Sequence, residues 1–192
     1  LFLSLMVKPV TELKKGIVFR EDGELWIVEN YEHIKVARGS GTIKVKAQSM
    51  RSEAITEKSF MTGARVDIVD VFKKKATYLY REANKYFFMD TENFENYEID
   101  GQMISSAKFL KDGMEVRVLI DDRSEIVGLE LPKNEIYKIT ETAVGVKGNT
   151  VSNTNKKAIL ENGVEVSVPL FVNTGDVVKI DTRTGGYLER VK

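Results

Sequence analysis

Apolar and polar residues alternate along most of the chain, which is the period-two pattern of β-strands. The segment GIVFREDGELWIVENYE holds two such runs on either side of Asp22-Gly23, a dipeptide typical of tight hairpin turns. Further runs follow, among them KVKAQSM, VDIVDVF, ATYLYR and KYFFMD. Only ENFENYEI (92–99) and GQMISSAKFL (101–110) could hold one or two helical turns. Many short strands at regular spacing predict small β-barrels.

A faint repeat divides the chain into three parts. In each copy a glycine follows charged or polar residues and precedes a strand, a turn and a second strand; the glycines are Gly16, Gly113 and Gly175. The repeat predicts three barrels of about 60 residues, near the lower limit for autonomous folding, with chance similarity among hairpins as the alternative. The predicted parts are a disordered or extra tail over 1–7 and domains over 8–71, 72–133 and 134–192.

Composition restricts the chemistry. Basic and acidic residues balance at 29 each, so any nucleic-acid contact must be local. The chain has no cysteine and one histidine, His33, which argues against disulfides, zinc sites and a Ser-His-Asp triad. Absence of cysteine also fits a reducing cytoplasm. No phosphate-cradling or nucleophile-elbow motif occurs, so we expect no catalytic residue, metal or cofactor.

The apolar opening LFLSLMV is too short for a membrane span, which needs about 20 residues. It also lacks the basic region and cleavage site of a signal peptide. We therefore expect no membrane partner.

Two stretches contain basic residues and no acid. His33 to Ser52 carries five fixed positive charges, and Thr142 to Leu160 carries three lysines. Such loops suit phosphate binding, and their glycines allow close approach of the backbone to a sugar-phosphate chain. Two solvated loops are an equally good reading of composition alone. The most prominent charge is Arg38, between Val36-Ala37 and Gly39-Ser40-Gly41 at the tip of a predicted hairpin.

The segment KKAILENGVEVSVPLFVNTG (156–175) resembles the signature of the bacterial translation elongation factor P family. Its Lys156, Ala158, Gly163, Pro169 and Gly175 stand at signature positions, together with three valines between them. The stretches DGELWIVENYEHIK, YFFMDTENFENYEI and VKIDTRTGGYLERVK are also similar to the family. The likeness covers about residues 8 to 192.

The resemblance implies an all-β fold of three small barrels, a KOW-type barrel followed by two OB-like barrels, in an L-shaped, tRNA-like arrangement. It implies a monomeric cytoplasmic protein that is not an enzyme. Its expected partners are both subunits of the ribosome, peptidyl-tRNA and the mRNA codon in the exit site. Family members bind between the peptidyl-tRNA and exit sites and promote peptide-bond formation at consecutive prolines. The alternatives are a divergent paralogue and a general OB-type RNA-binding module.

The resemblance also implies roles for residues of the first domain. Arg38 takes the tip position, which in the family is Lys or Arg and often carries a modification. Lys35, Gly39 and Gly41 are then expected to lie with Arg38 at the CCA end of the peptidyl-tRNA. The common KPGKG loop reads KVARG here, which excludes lysine-type modification and leaves rhamnose, added by a modifying enzyme, as a candidate for Arg38.

In the third domain, Gly148, Asn149 and Thr150 align with a family GDT motif that faces the exit-site codon. Asn149 replaces the usual Asp, so an acceptor is kept and the charge is lost. Tyr187 and Arg190 match C-terminal residues that contact the anticodon arm of the peptidyl-tRNA on the small subunit.

Overall fold

The computed structural model describes residues 6–34, 41–143 and 155–191, and the chain there is mostly β-structure. Strands form three antiparallel sheets, and the helical residues lie in three single turns of 3-10 helix. The 3-10 turns are Val10–Glu12, Gly101–Met103 and Ala107–Phe109. The predicted all-β class is confirmed.

The first sheet has six strands, which are β1 (Met6–Pro9), β2 (Val18–Glu21), β3 (Glu24–Ile34), β4 (Thr42–Ser49), β5 (Ile55–Met61) and β6 (Arg65–Val69). Their order in the sheet is β1-β6-β2-β3-β4-β5. The β2–β3 hairpin turns at Asp22-Gly23, as predicted, and both residues have positive φ (52° and 80°), which the sharpest hairpin turns require.

The second and third sheets share one topology. Each has five strands, with the first strand in the chain at the centre, the next two on one side and the last hairpin on the other. The second sheet holds β7 (Val71–Glu82), β8 (Lys85–Asp90), β9 (Asn96–Asp100), β10 (Glu115–Asp121) and β11 (Ile126–Glu130). The third holds β12 (Asn134–Thr142), β13 (Asn155–Leu160), β14 (Glu165–Pro169), β15 (Val177–Asp181) and β16 (Tyr187–Val191).

The sequence repeat corresponds to one recurring backbone arrangement, which we call the glycine corner. In the second sheet, Gly113 has φ 78° and donates its N–H to the carbonyl of Tyr78 at 3.0 Å. Tyr78 in turn donates its N–H to the carbonyl of Met114 at 2.8 Å, and the β7–β8 register shifts just after Tyr78.

Both hydrogen bonds recur at the other two glycines of the repeat. Gly16 and Ile17 make them with Val28, and Gly175 and Asp176 make them with Ile139, at 2.8–2.9 Å. A register shift again follows Val28 in β3 and Ile139 in β12. The repeat is therefore a structural feature and not a chance similarity. The three corners differ in which strand carries the register shift, or bulge. In the first sheet it is β3, the second strand of the hairpin that follows the glycine. In the second and third sheets it is the central strand.

Buried side chains form three clusters. One fills the first sheet around Leu13, Phe19 and Ile43. A second runs continuously through the second and third sheets, with Tyr137 as the largest fully buried side chain. The third is small and lies between the first and second sheets.

Two expectations from the sequence need correction. Met6 and Val7, assigned to an N-terminal tail, lie in β1, where their backbone pairs with Ile68 and Asp67 of β6. Residues 92–99 hold no helix: Phe94 has φ 61°, and β9 pairs with β8 from Asn96 onward. The expected helical turns in 101–110 are present as two 3-10 turns.

The divisions after residues 71 and 133, as limits of independent domains, stay predictions.

Candidate functional site

The first candidate surface is the end of the β3–β4 hairpin. These strands extend through paired residues as far as Ile34 opposite Thr42. Lys35, Arg38 and Gly39, three of the four predicted contact residues, lie outside the described residues. Gly41 lies within the described residues, and its contacts fix this end of the hairpin, which we call the hairpin base.

Gly41 lies where three chain segments meet. Its carbonyl accepts a hydrogen bond from the N–H of Thr62 at 2.8 Å and a second from the Thr62 hydroxyl. A Cβ at Gly41 would lie 3.0 Å from the carbonyl oxygen of Ile34 and 3.0 Å from the Thr62 hydroxyl. Gly41 is thus needed for close packing at the hairpin base, a local role that the sequence did not indicate.

Basic side chains of β4 are partly neutralised by neighbouring strands. The ammonium of Lys44 lies 2.8 Å from a carboxylate oxygen of Glu57 on β5, and Glu32 of β3 stands opposite Lys44 in register. The hydrogen bond and charge of Glu57 raise the pKa of Lys44 above its ordinary value. Lys46 also stands opposite Glu57. The stretch without acids in sequence is therefore not free of acids in space.

Exposed apolar side chains accompany these charges. Ile34 is 41% exposed and Met61 67% exposed, both at the end of the first sheet beside Gly41, and His33 is exposed next to them. The described end of the first sheet therefore presents exposed apolar side chains close to the ion pair of Lys44 and Glu57.

The second candidate surface is formed by β16 and the segment after β14. Tyr187 is half-buried and packs against the shared core, whereas Arg190 is exposed. A guanidinium nitrogen of Arg190 lies 3.4 Å from Asp176, and its central carbon lies 5.6 Å from the centre of the Phe171 ring. The backbone N–H of Asn173 and then Arg190 hold the pKa of Asp176 below its usual range.

Phe171 is a surface residue that sequence reasoning missed. Phe171 is 57% exposed beside Arg190, although it stands inside the family signature as an apolar residue of a strand-like run. The predicted Gly148, Asn149 and Thr150 lie outside the described residues, so their position relative to this surface stays a prediction.

Two aspartates between the first and second sheets have structural partners. Asp121 is buried and accepts hydrogen bonds from the backbone N–H groups of Arg123 and Glu125. Asp67 lies 3.7 Å from arginine nitrogens of Arg20 and Arg123. Among the residues that the structure describes, no group of three potential metal ligands occurs. No helix of the described ranges is long and apolar enough to span a membrane.

Three family profiles cover the chain in order. Residues 9–66 match the elongation factor P KOW-like domain, 71–128 the elongation factor P OB domain, and 136–190 the elongation factor P C-terminal domain. The all-β fold and these matches define a translation factor built from KOW-like and OB domains. The chain belongs to the elongation factor P family.

Curated relatives agree over nearly the full length. Elongation factor P of Moorella thermoacetica is 39% identical over 93% of this chain and 97% of its own. That of a Sulfurihydrogenibium species is 40% identical over 88% of this chain and 90% of its own. Among solved structures, the eukaryotic translation initiation factor 5A from Methanococcus jannaschii matches with a TM-score of 0.49, 19% identity, and coverage of 69% of this chain and 98% of its own.

Proposed function

We propose that this protein binds the ribosome between the peptidyl-tRNA and exit sites and promotes peptide-bond formation where the nascent chain ends in consecutive prolines. The observation that supports this proposal is the family match, which extends through all three parts of the chain. The factor supplies no reacting group in this proposal. It accelerates the ribosome's own reaction by holding the peptidyl-tRNA in a productive orientation.

Arg38 is the proposed tip residue of the first surface. Lys35, Gly39 and Gly41 accompany it at the CCA end, and the described base of the hairpin supports this role because Gly41 is fixed to Thr62. Proline reacts poorly because its ring restricts the reacting amine and the chain, so small gains in orientation matter most there. A rhamnose on Arg38 would extend the reach of the tip, and the intact mass of natively expressed protein would reveal it.

The second surface is proposed to contact the anticodon arm. Arg190 is exposed on β16, so a phosphate can replace its 3.4 Å contact with Asp176, and Tyr187 supports that strand from the core side. Gly148, Asn149 and Thr150 are proposed to lie at the exit-site codon. Ribosome binding should therefore weaken as salt rises, because phosphate contacts release counterions.

A reconstituted translation system without endogenous factor tests the proposal. The wild-type protein should accelerate synthesis through Pro-Pro-Pro and leave a proline-free message unchanged. Arg38→Ala should lose most of that acceleration, whereas Arg117→Ala, an exposed arginine of the second sheet that pairs with Glu130, should retain it. Equal acceleration of both messages would favour a general RNA-binding module. Full activity of Arg38→Ala would reject the tip role.

The anticodon-arm contact has its own matched pair of variants. Arg190→Met removes the exposed cation of β16 beside Phe171. Lys179→Met removes a cation of the neighbouring strand β15 that pairs with Glu189 of β16. Ribosome affinity should fall for Arg190→Met and hold for Lys179→Met. An equal effect of the two variants would reject a specific role for Arg190.

A further inference from the structure

The connection between the first and second sheets is very short. β6 ends at Val69 and β7 begins at Val71, so a single residue, Asp70, separates them. A connection this short restricts the two sheets to a small range of relative orientations. Contacts between side chains of the two sheets then determine which orientation is adopted.

A buried carboxylate lies at this junction. Asp121, at the end of β10, has a side chain with no exposed surface, and it accepts a hydrogen bond from Arg20 of β2 at 2.9 Å. Its other oxygen accepts two backbone N–H groups, from Arg123 and Glu125, at 2.9 Å each. Three donors therefore compensate the charge, and only the donor from Arg20 belongs to the first sheet.

Asp67 and Arg123 extend the pair into a network of four charges. Asp67 of β6 lies 3.7 Å from Arg20 on its own sheet and 3.7 Å from Arg123 in the turn between β10 and β11 of the second sheet. The two arginines and two aspartates cancel in charge, and contacts between opposite charges cross the junction twice. The hydrogen bond from Arg20 to Asp121 is the directional contact among these, because a planar guanidinium donates only in a narrow range of orientations.

The apolar packing beside the network is small. Val18, Leu25 and Val69 of the first sheet are buried there, and Val127 of the second sheet packs against them. The second and third sheets, in contrast, share one continuous core. Apolar contacts tolerate sliding more readily than hydrogen-bonded charges, so the ionic network is the more orientation-specific part of the junction.

We propose that Arg20 and Asp121 are positioning residues that fix the orientation of the first sheet on the second. They thereby set the direction in which the β3–β4 hairpin is presented. The part of the proposal that concerns peptide-bond formation rests on the proposed function; the part that concerns orientation does not.

The natural absence of cysteine permits a direct distance measurement. Ser59 of β5 and Asn96 of β9 are exposed, so Ser59→Cys with Asn96→Cys carries one spin label on each sheet. The wild-type background should give one narrow distance distribution by pulsed electron paramagnetic resonance. The pair Arg20→Met with Asp121→Asn should broaden or split it.

This pair of substitutions is chosen so that the protein still folds. It removes both charges together, and the amide oxygen can still accept the backbone N–H groups of Arg123 and Glu125. Arg20→Lys provides a milder variant, because an ammonium keeps the charge and loses the fork that faces two aspartates. Lys85→Met is the control, since Lys85 pairs with Glu98 entirely within the second sheet.

Polyproline synthesis by the same variants, without the labelling cysteines, tests the consequence. Misorientation should lower the maximal stimulated rate about tenfold or more, whereas the factor concentration for half-maximal effect should change much less. Lys85→Met should match the wild type in both measurements.

Each outcome decides a separate part. An unchanged distance distribution in the double variant overturns the positioning role. A broadened distribution with full translation activity overturns its link to hairpin presentation. If the wild type fails to stimulate translation, the proposed function fails, and the distance measurement still decides the orientation role.

Discussion

The hydroxyl of Tyr137 in β12 donates a hydrogen bond to the carbonyl oxygen of Phe109, across the boundary between the second and third sheets. Both residues are almost completely buried, and burial raises the pKa of the Tyr137 phenol well above its ordinary value. Lys111 adds an ion pair to Glu135 at 2.9 Å over the same boundary. The two sheets are thus joined by a specific polar contact inside their common core.

Removal of the Tyr137 hydroxyl should destabilise the protein, although the aromatic ring stays in the core. Tyr137→Phe leaves the Phe109 carbonyl buried without its partner, so the free energy of unfolding should fall by about 1–3 kcal/mol. Urea unfolding would measure it. Tyr80→Phe, at a tyrosine 51% exposed, should change stability by less than about 0.5 kcal/mol. Equal effects of the two variants would contradict the buried contact.

Asp90 should contribute to stability in a pH-dependent way. The Tyr97 hydroxyl, 2.7 Å away, and then the backbone N–H of Glu92 hold the pKa of Asp90 below its ordinary value. A depressed carboxyl pKa adds stability above the unfolded-state pKa of about 4, and that stability is lost as pH falls through the folded-state pKa. Denaturant titrations from pH 7 to pH 2 should therefore show a shallower acid decline for Asp90→Asn. Parallel declines for the variant and the wild type would exclude this role.

Release of Lys44 from Glu57 should strengthen ribosome binding under the proposed function. Glu57→Gln removes the negative charge that lies 2.8 Å from Lys44, so more positive charge is available to phosphates. Affinity at low salt should rise up to about tenfold, with a steeper salt dependence. Glu98→Gln, which frees Lys85 on the second sheet, is the matched control and should have little effect. A decrease in affinity for Glu57→Gln would show that Glu57 itself is a contact.

The glycine corner should depend on backbone conformation and not on space. Among the described residues beyond its two chain neighbours, no atom lies within 4 Å of a Cβ built on Gly113, yet its φ of 78° is one that residues with side chains rarely adopt. Gly113→Ala should therefore lower the free energy of unfolding by about 1–2 kcal/mol. Gly128→Ala, where the nearest atoms lie at ordinary contact distances of 3.5 and 3.8 Å and φ is not positive, should cost less. The reverse order of the two effects would show that crowding controls the corner.

Alternation of apolar residues predicted most strands correctly, and failed where a bulge changes the period. Tyr78 and Tyr80 stand two residues apart and should share a face of β7. The register shift between them instead leaves Tyr78 6% exposed and Tyr80 51% exposed. The bulge in β7 depends on the hydrogen bonds of Tyr78 with Gly113 and Met114, which are distant in the sequence. The pattern of neighbouring residues therefore cannot indicate it.

The candidate surfaces were predictable only in part, for a related reason. Position in the chain indicated the basic hairpin and the C-terminal strand. It could not indicate that Glu57, 13 residues from Lys44, neutralises it, or that Arg20 meets Asp121 across 101 residues. Such contacts follow from register and from the packing of one sheet on another. Those are set by the whole fold, so the sequence could identify the charges and not their partners.

The glycine corner uses backbone hydrogen bonds, and the side chain of its glycine is a hydrogen atom. The strand pairing at each corner therefore places no demand on the chemistry of the outward-facing residues. The same device can support a basic hairpin in one barrel and an arginine beside a phenylalanine in another. Nearly every surface residue around such a corner can therefore change in evolution while the backbone pairing is kept. The two surfaces can then diverge in what they recognise on an unchanged arrangement of strands.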